Sequence, residues 1–261
     1  MQEIDLKTVK PDLKKILVIG HEGVGKTNFI KTMPKPIYLF SFDKGYQTLA
    51  GEEGITVGLC MDEDRRQPKA YMEFVAKFDA LQKGLKYKHP DGREEAYRTI
   101  ALDSISFLST LLFDHECRVQ NLVDKRGEGG SMYGLYGVVK SKTRDMINKA
   151  ILAAEYVVCT ALLDTDKDED TGELFFVPSM VGSAKNEVGA WFDMVLFMST
   201  DKNAATGGVS YRATWIGDRR QRAKMRIPSS YHRSAAFIEN PTYPGILKFF
   251  GIDDKSNQPT K

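Results

Sequence analysis

The octet Gly20-His21-Glu22-Gly23-Val24-Gly25-Lys26-Thr27 satisfies the pattern GxxxxGK[ST] without a mismatch. Glycines at these spacings let the backbone curl until successive N–H groups converge, which makes a cradle for phosphate oxygens. A helix beginning beside Lys26 and Asn28 adds the positive end of its dipole. In that frame Lys26 reaches the β- and γ-phosphates of a nucleoside triphosphate, and the Thr27 hydroxyl takes a place on Mg²⁺. The bland alternative is a glycine turn that matches by chance. A strand-like run before the octet and a helix-like run after it weigh against that alternative. No base-reading NKxD is present, so ATP is the default nucleotide.

A phosphate cradle needs a second carboxylate to hold the metal's water shell. TIALDS (99–104) supplies one in Asp103, after four mostly apolar residues. The metal role competes with a simpler one, in which a strand-ending aspartate caps the next helix. Many AAA-type motors carry a water-activating glutamate directly after the metal aspartate. Here Ser104 stands in that place. The acidic DTDKDED (164–170) fails as a calcium loop, because its sixth and twelfth positions hold Glu169 and Phe175 rather than glycine and glutamate.

Strand-like and helical runs alternate as in an α/β sheet of mainly parallel strands flanked by helices, with a late antiparallel β extension. KILVIG (15–20) and PIYLFSF (36–42) are short apolar runs suited to strands covered on both faces. Between them KTNFIKTM reads as a short helix halted by PKP (34–36). Phe74, Phe78, Leu81 and Leu85 recur at helical spacing. A third strand, YRTIALD (97–103), leads to a long helix over 105–123 that Ser104 can cap. DKRGEGGSMYGLYG (124–137) reads as a glycine-rich loop, and a further helix follows near 138–154. YVVCTALL (156–163) is another buried strand, and DTDKDEDTG (164–172) turns it back into ELFFVP (173–178) as a projecting hairpin. FDMVLFMST (192–200) and YRATWIG (211–217) are late strands, and DDKSNQPTK (253–261) is a soft end. Trp191 and Trp215 fall in apolar surroundings and read as core.

With 42% hydrophobic and 28% charged residues, the 261-residue chain can bury a real core. Its 37 Lys and Arg against 35 Asp and Glu give no global pull on a polyanion. Three separated cysteines argue against a disulfide framework or zinc site. No run approaches a membrane span, and the start lacks a signal-peptide core, so a soluble cytoplasmic protein with no membrane partner is expected. The expectation is one domain over 1–261, with a core at 14–227 and a C-terminal tail at 228–261.

Six pieces in order, GHEGVGKT, PKPIYLFSFDKG, TIALDSIS, YGLYG, VPSMVGSAKNEVGAWFDMVLFM and RRQRAKMR, resemble the phage-type RecA-like ATPases, phage nucleotide-binding proteins that include single-strand annealing proteins. The resemblance runs from about residue 15 to 226. It implies a RecA-like P-loop core with YVVCTALL lying between the phosphate-loop strand and the TIALD strand. It also implies Mg²⁺-dependent ATP hydrolysis coupled to single-stranded DNA in phage recombination or annealing, in the host cytoplasm. The implied partners are further copies of the chain in a ring or filament and a single-strand DNA-binding protein.

In RecA-like ATPases the catalytic base closes the strand after the phosphate-loop helix, where this chain has Asp43. Aspartate replaces the usual glutamate, and a plain turn residue in FDKG is the alternative. The γ-phosphate sensor expected in CTALLD has Thr160 as its nearest substitute. Two loops are candidates for DNA: 124–137, with Lys125, Arg126, Tyr133 and Tyr136, and 164–186, where only Phe175, Phe176 and Lys185 suit a phosphate backbone. DRRQRAKMR (218–226) carries five cations and one acid. Its Lys224 and Arg226 have the spacing of a finger inserted into a neighbour's ATP site; a DNA-phosphate patch or a solvated basic face are the alternatives. Two other functions stay open, a P-loop small-molecule kinase and a nucleotide-binding assembly protein with vestigial catalysis.

Overall fold

A computed structural model describes residues 11–62, 69–120, 133–202, 208–231 and 235–252. Its strands are β1 (Lys15–Gly20), β2 (Ile37–Ser41), β3 (Ile55–Leu59), β4 (Lys86–Lys88), β5 (Glu94–Ala96), β6 (Thr99–Asp103), β7 (Tyr156–Lys167), β8 (Leu174–Pro178), β9 (Met194–Lys202), β10 (Val209–Thr214), β11 (Lys224–Met225) and β12 (Ile238–Glu239). Its α-helices are α1 (Lys26–Ile30), α2 (Ala70–Gln82), α3 (Ile105–Val119), α4 (Tyr133–Ala153), α5 (Ala184–Glu187) and α6 (Tyr243–Phe250).

The main sheet runs β12-β10-β9-β1-β7-β6-β2-β3, with β11 added on β9 and β8 on β7. From β9 to β3 every pairing is parallel, while β10, β11 and β12 form the antiparallel extension. β7 lies between β1 and β6, with Leu17 opposite Cys159 and Leu102 opposite Cys159 on the other side. That is the RecA-like order the resemblance implies. It sets the strand ends bearing the phosphate loop and Asp103 one strand apart, with room between them for a ligand.

Alternation along β1 splits the core. Leu17 and Ile19 face the layer of α2, α3 and α4, through Phe74, Phe78, Leu108, Leu112 and Ile147. Ile16 and Val18 face α1 and α6, through Phe29, Ile30, Ile246 and Phe250. Trp215 is buried in this second layer and Trp191 packs against the first. Among the described residues no helix is long and apolar enough to cross a membrane.

Four expectations need correction. The strand expected third is the sixth, because β3 and the small β4–β5 hairpin precede it. β3 is an edge strand with half-exposed residues, so it lacks the apolar run that marks a buried strand. The glycine-rich loop ends earlier than expected: α4 already begins at Tyr133, and Leu135 and Val139 are buried at helical spacing despite the flanking glycines. Residues 121–132, with Lys125 and Arg126, lie outside the described residues. The region after 227 is not merely a tail, since α6 buries Tyr243, Ile246, Leu247 and Phe250 in the core. Its start and stop are explicit in TYPGILKFFG: the Thr242 hydroxyl accepts from Gly245 N–H, and Gly251 closes the helix at φ 68°. Finally, Ser104 occupies the position before α3 but its side chain makes no capping bond.

Candidate nucleotide site

β1 ends at Gly20, where a Cβ would sit 2.6 Å from the Met198 carbonyl oxygen and 2.7 Å from Val24 Cγ2. Only glycine fits that approach. Gly23 and Gly25 adopt φ of 76° and 85°, so the chain turns through left-handed geometry before α1 begins. Val24 is buried beneath this turn and anchors it. Lys26 folds back over the loop, its Nζ donating to the carbonyls of Gly20 at 2.8 Å and His21 at 2.6 Å. Burial pushes its pKa down, while Asp103, Glu22 and Asp43 pull it up. The ammonium is thereby held at the cradle with only backbone oxygens as direct partners, ready to exchange them for phosphate oxygens.

Asp103, 3% exposed, closes β6. Its Oδ2 accepts from Thr27 Oγ1 at 2.8 Å and its Oδ1 accepts from Thr160 Oγ1 on β7. Desolvation raises its pKa, the two hydroxyls and Lys26 act against that rise, and Asp43 adds to it. Thr27 and Asp103 fit Mg²⁺: both offer hard oxygen atoms, and a metal that keeps several waters and phosphate ligands needs only one or two from protein. Thr160 is fully buried on Asp103, so it is not free to sense a γ-phosphate as expected.

Asp43 follows β2, where it holds a turn and also faces the cavity. Its Oδ1 accepts from Gly45 N–H at 2.7 Å, which makes it a turn residue, and it also lines the cavity with Thr27 and Asp103. A Cβ on Gly45 would be 2.9 Å from Asp43 Oδ1, 3.3 Å from Thr27 Oγ1 and 3.7 Å from Asp103 Oδ2. The three side chains therefore crowd around one glycine. The cavity they share is about 350 Å³, and Glu22, Gly23, Gly25, Lys26 and Asn28 of the predicted cradle also line it. His21 is exposed and contributes its carbonyl.

Tyr211 of β10 also lines this cavity, its ring only 3.1 Å from where a Gly25 Cβ would be. It lies far from the motif in sequence, inside a strand with no chemical signature, and the antiparallel pairing of β10 with β9 brings it to the site.

The remaining predicted residues lie elsewhere. Arg226 donates to Asp193 Oδ1 at 3.1 Å and to the Ala190 carbonyl at 2.8 Å. Lys224 on β11 lines a second cavity of about 280 Å³ together with Lys185, Arg222 and Phe176. Burial and the neighbouring Arg226 lower the Lys224 pKa. Lys185 pairs with Asp166 at 2.9 Å, and Arg222 lies 5.0 Å over the Phe175 ring. Tyr136, on α4 rather than in a loop, stacks on Phe113 at 5.5 Å and remains partly exposed. The side chain of Tyr133 is outside the described residues.

Residues 13–242 match the family AAA_24, described as an AAA domain. The chain belongs to that family. As an AAA-domain protein with a RecA-like strand order, it is a P-loop nucleotide-binding ATPase in type. No curated protein matches the sequence. Among solved structures, the flagellar accessory protein FlaH from Methanocaldococcus jannaschii is similar at a TM-score of 0.41 and 11% identity, covering 78% of each chain.

Proposed function

We propose that this chain binds ATP with Mg²⁺ at Gly20–Thr27, hydrolyses it, and uses the cycle to grip and release single-stranded DNA in phage-type recombination or annealing. The observation that carries the ATPase part is the meeting of Lys26, Thr27, Asp43 and Asp103 around one cavity at the ends of β1, β2 and β6. Backbone amides of the loop bind the phosphates, and Lys26 neutralises charge as the γ-phosphoryl departs. Thr27 and Asp103 would hold Mg²⁺, which would supply positive charge to offset that of the phosphates. Asp43, fixed by Gly45 N–H, orients the attacking water and accepts its proton.

The DNA part rests on the resemblance and on the cations around the second cavity, Lys185, Arg222 and Lys224, with Phe175 and Phe176 beside them. In a ring or filament, Arg226 would leave Asp193 to reach the neighbour's γ-phosphate. ATP turnover measured with and without single-stranded DNA, alongside the mass in solution, tests the reading. A DNA-stimulated rate in an oligomer supports it. A rate indifferent to DNA removes the DNA half, and phosphate transfer to a nucleoside or sugar would make the protein a kinase.

A further inference from the structure

Asp43 and Asp103 line the nucleotide cavity beside Thr27 and the glycine cradle. Ionised carboxylates only accept hydrogen bonds, and they repel a phosphate. A neutral donor beside them would offer a terminal phosphoryl oxygen a hydrogen bond that the carboxylates cannot. Thr27 and Thr160 both spend their hydroxyl protons on Asp103. Lys26 approaches from the cradle side, over the carbonyls of Gly20 and His21.

Ser104 remains. It follows Asp103 at the end of β6, lines the cavity, and is 3% exposed. Its Oγ is buried with no hydrogen-bond partner. A serine just before a helix ordinarily turns its hydroxyl onto that helix's free N–H groups. Ser104 does not, although its carbonyl accepts the first helical bond, from Leu108 N–H at 3.0 Å. A buried hydroxyl left unpaired costs about 1–3 kcal/mol. Such a group in a ligand cavity is explained most simply by a ligand that pairs with it.

We infer that the Ser104 hydroxyl recognises the terminal phosphate of the bound triphosphate, donating to a γ-oxygen and so distinguishing ATP from ADP. This rests on the nucleotide site proposed above. Ser104 is too weak an acid to act as a base at neutral pH. Its part is to register that the third phosphate is present and to hold it against Asp43.

The test is a pair of binding measurements, with AMP-PNP and with ADP, each with Mg²⁺, on the native protein and on Ser104→Ala. Removing a charge-assisted bond made only to the γ-phosphate weakens AMP-PNP binding about tenfold or more. ADP affinity stays within about twofold, inside the spread of a surface-type change. The thermal midpoint of nucleotide-free Ser104→Ala should equal or exceed that of the native protein, since the substitution removes an unpaired buried group. A fall in that midpoint would show that the hydroxyl serves the fold and would overturn the assignment. Equal weakening for both nucleotides, or for neither, would also overturn it while leaving the nucleotide site intact. A native protein that binds neither nucleotide would bring down the site and, with it, this inference.

Discussion

The Thr160 hydroxyl donates to Asp103 Oδ1 across the gap between two neighbouring strands, and both side chains are buried. The opposite oxygen of the same carboxylate takes the Thr27 hydroxyl at 2.8 Å. Asp103 is thus clamped from both sides, with its orientation set by β7 on one flank and by the phosphate loop on the other. The insertion of β7 between β1 and β6 is what makes this clamp possible. A topology is here converted into the aim of one carboxylate.

Thr160→Val keeps the shape of the side chain and removes the donor. Asp103 Oδ1 then stays buried without a partner, which should destabilise the protein by about 1–3 kcal/mol. A denaturant titration reads this directly. Nucleotide binding in the absence of metal should change little, because Thr160 does not line the cavity. An unchanged unfolding midpoint would mean that the clamp contributes nothing.

Asp103→Asn should separate stability from function. Burial raises the Asp103 pKa in the folded protein above its ordinary value of 3.8. Stability from this group is therefore complete below the unfolded-state pKa and is lost as pH rises through the folded-state value. At neutral pH the native protein carries that cost and the asparagine variant does not. The nucleotide-free variant should melt higher at pH 7. The gain should shrink as the medium is acidified below the carboxylate range, and Mg²⁺-dependent nucleotide binding should be lost throughout. A variant that melts lower at pH 7 would mean that the hydroxyl bonds outweigh the desolvation.

The cradle and the aspartate bonded to it were legible in sequence because each rests on short-range chemistry: glycine spacing, a lysine, a hydroxyl and an aspartate ending an apolar run. Asp43 was legible for the same reason. Tyr211 and the double clamp on Asp103 were not, because they arise where β10 and β7 are brought alongside β9, β1 and β6 from distant parts of the chain. The start of α4 was hidden by Gly134 and Gly137, which lower helix propensity without overriding the burial of Leu135 and Val139. α6 carried a full set of start and stop signals and was missed through its position near the end of the chain.

Gly25→Ala should fail for two reasons that add. The residue sits at φ 85°, where a side chain costs about 1–2 kcal/mol. The new methyl would also press on the Tyr211 ring at 3.1 Å. Thermal melting should show a loss of stability, and nucleotide affinity should fall by at least about tenfold as the loop amides are displaced. Pairing the change with Tyr211→Ala should recover part of the stability and not the φ penalty. Full recovery would show that the ring alone sets the cost.

Arg226 provides the sharpest test of assembly. Within its own chain it pairs with Asp193 at 3.1 Å, and its side chain is 54% exposed. An exposed pair of this kind is worth about 0–1 kcal/mol, so Arg226→Ala should fold normally. If the guanidinium acts on a neighbour's γ-phosphate, the substitution should cut ATP turnover by about 10³-fold or more. Lys26→Ala should abolish turnover by removing the ammonium from its own cradle. The two variants mixed together should then regain activity, because an intact cradle from an Arg226→Ala subunit meets an intact finger from a Lys26→Ala subunit. Turnover that stays at the sum of the separate variants would place Arg226 on DNA or on the solvated face. Single-stranded DNA affinity decides between those two, since removing one cation that neutralises a phosphate reduces the slope of the salt dependence by about one.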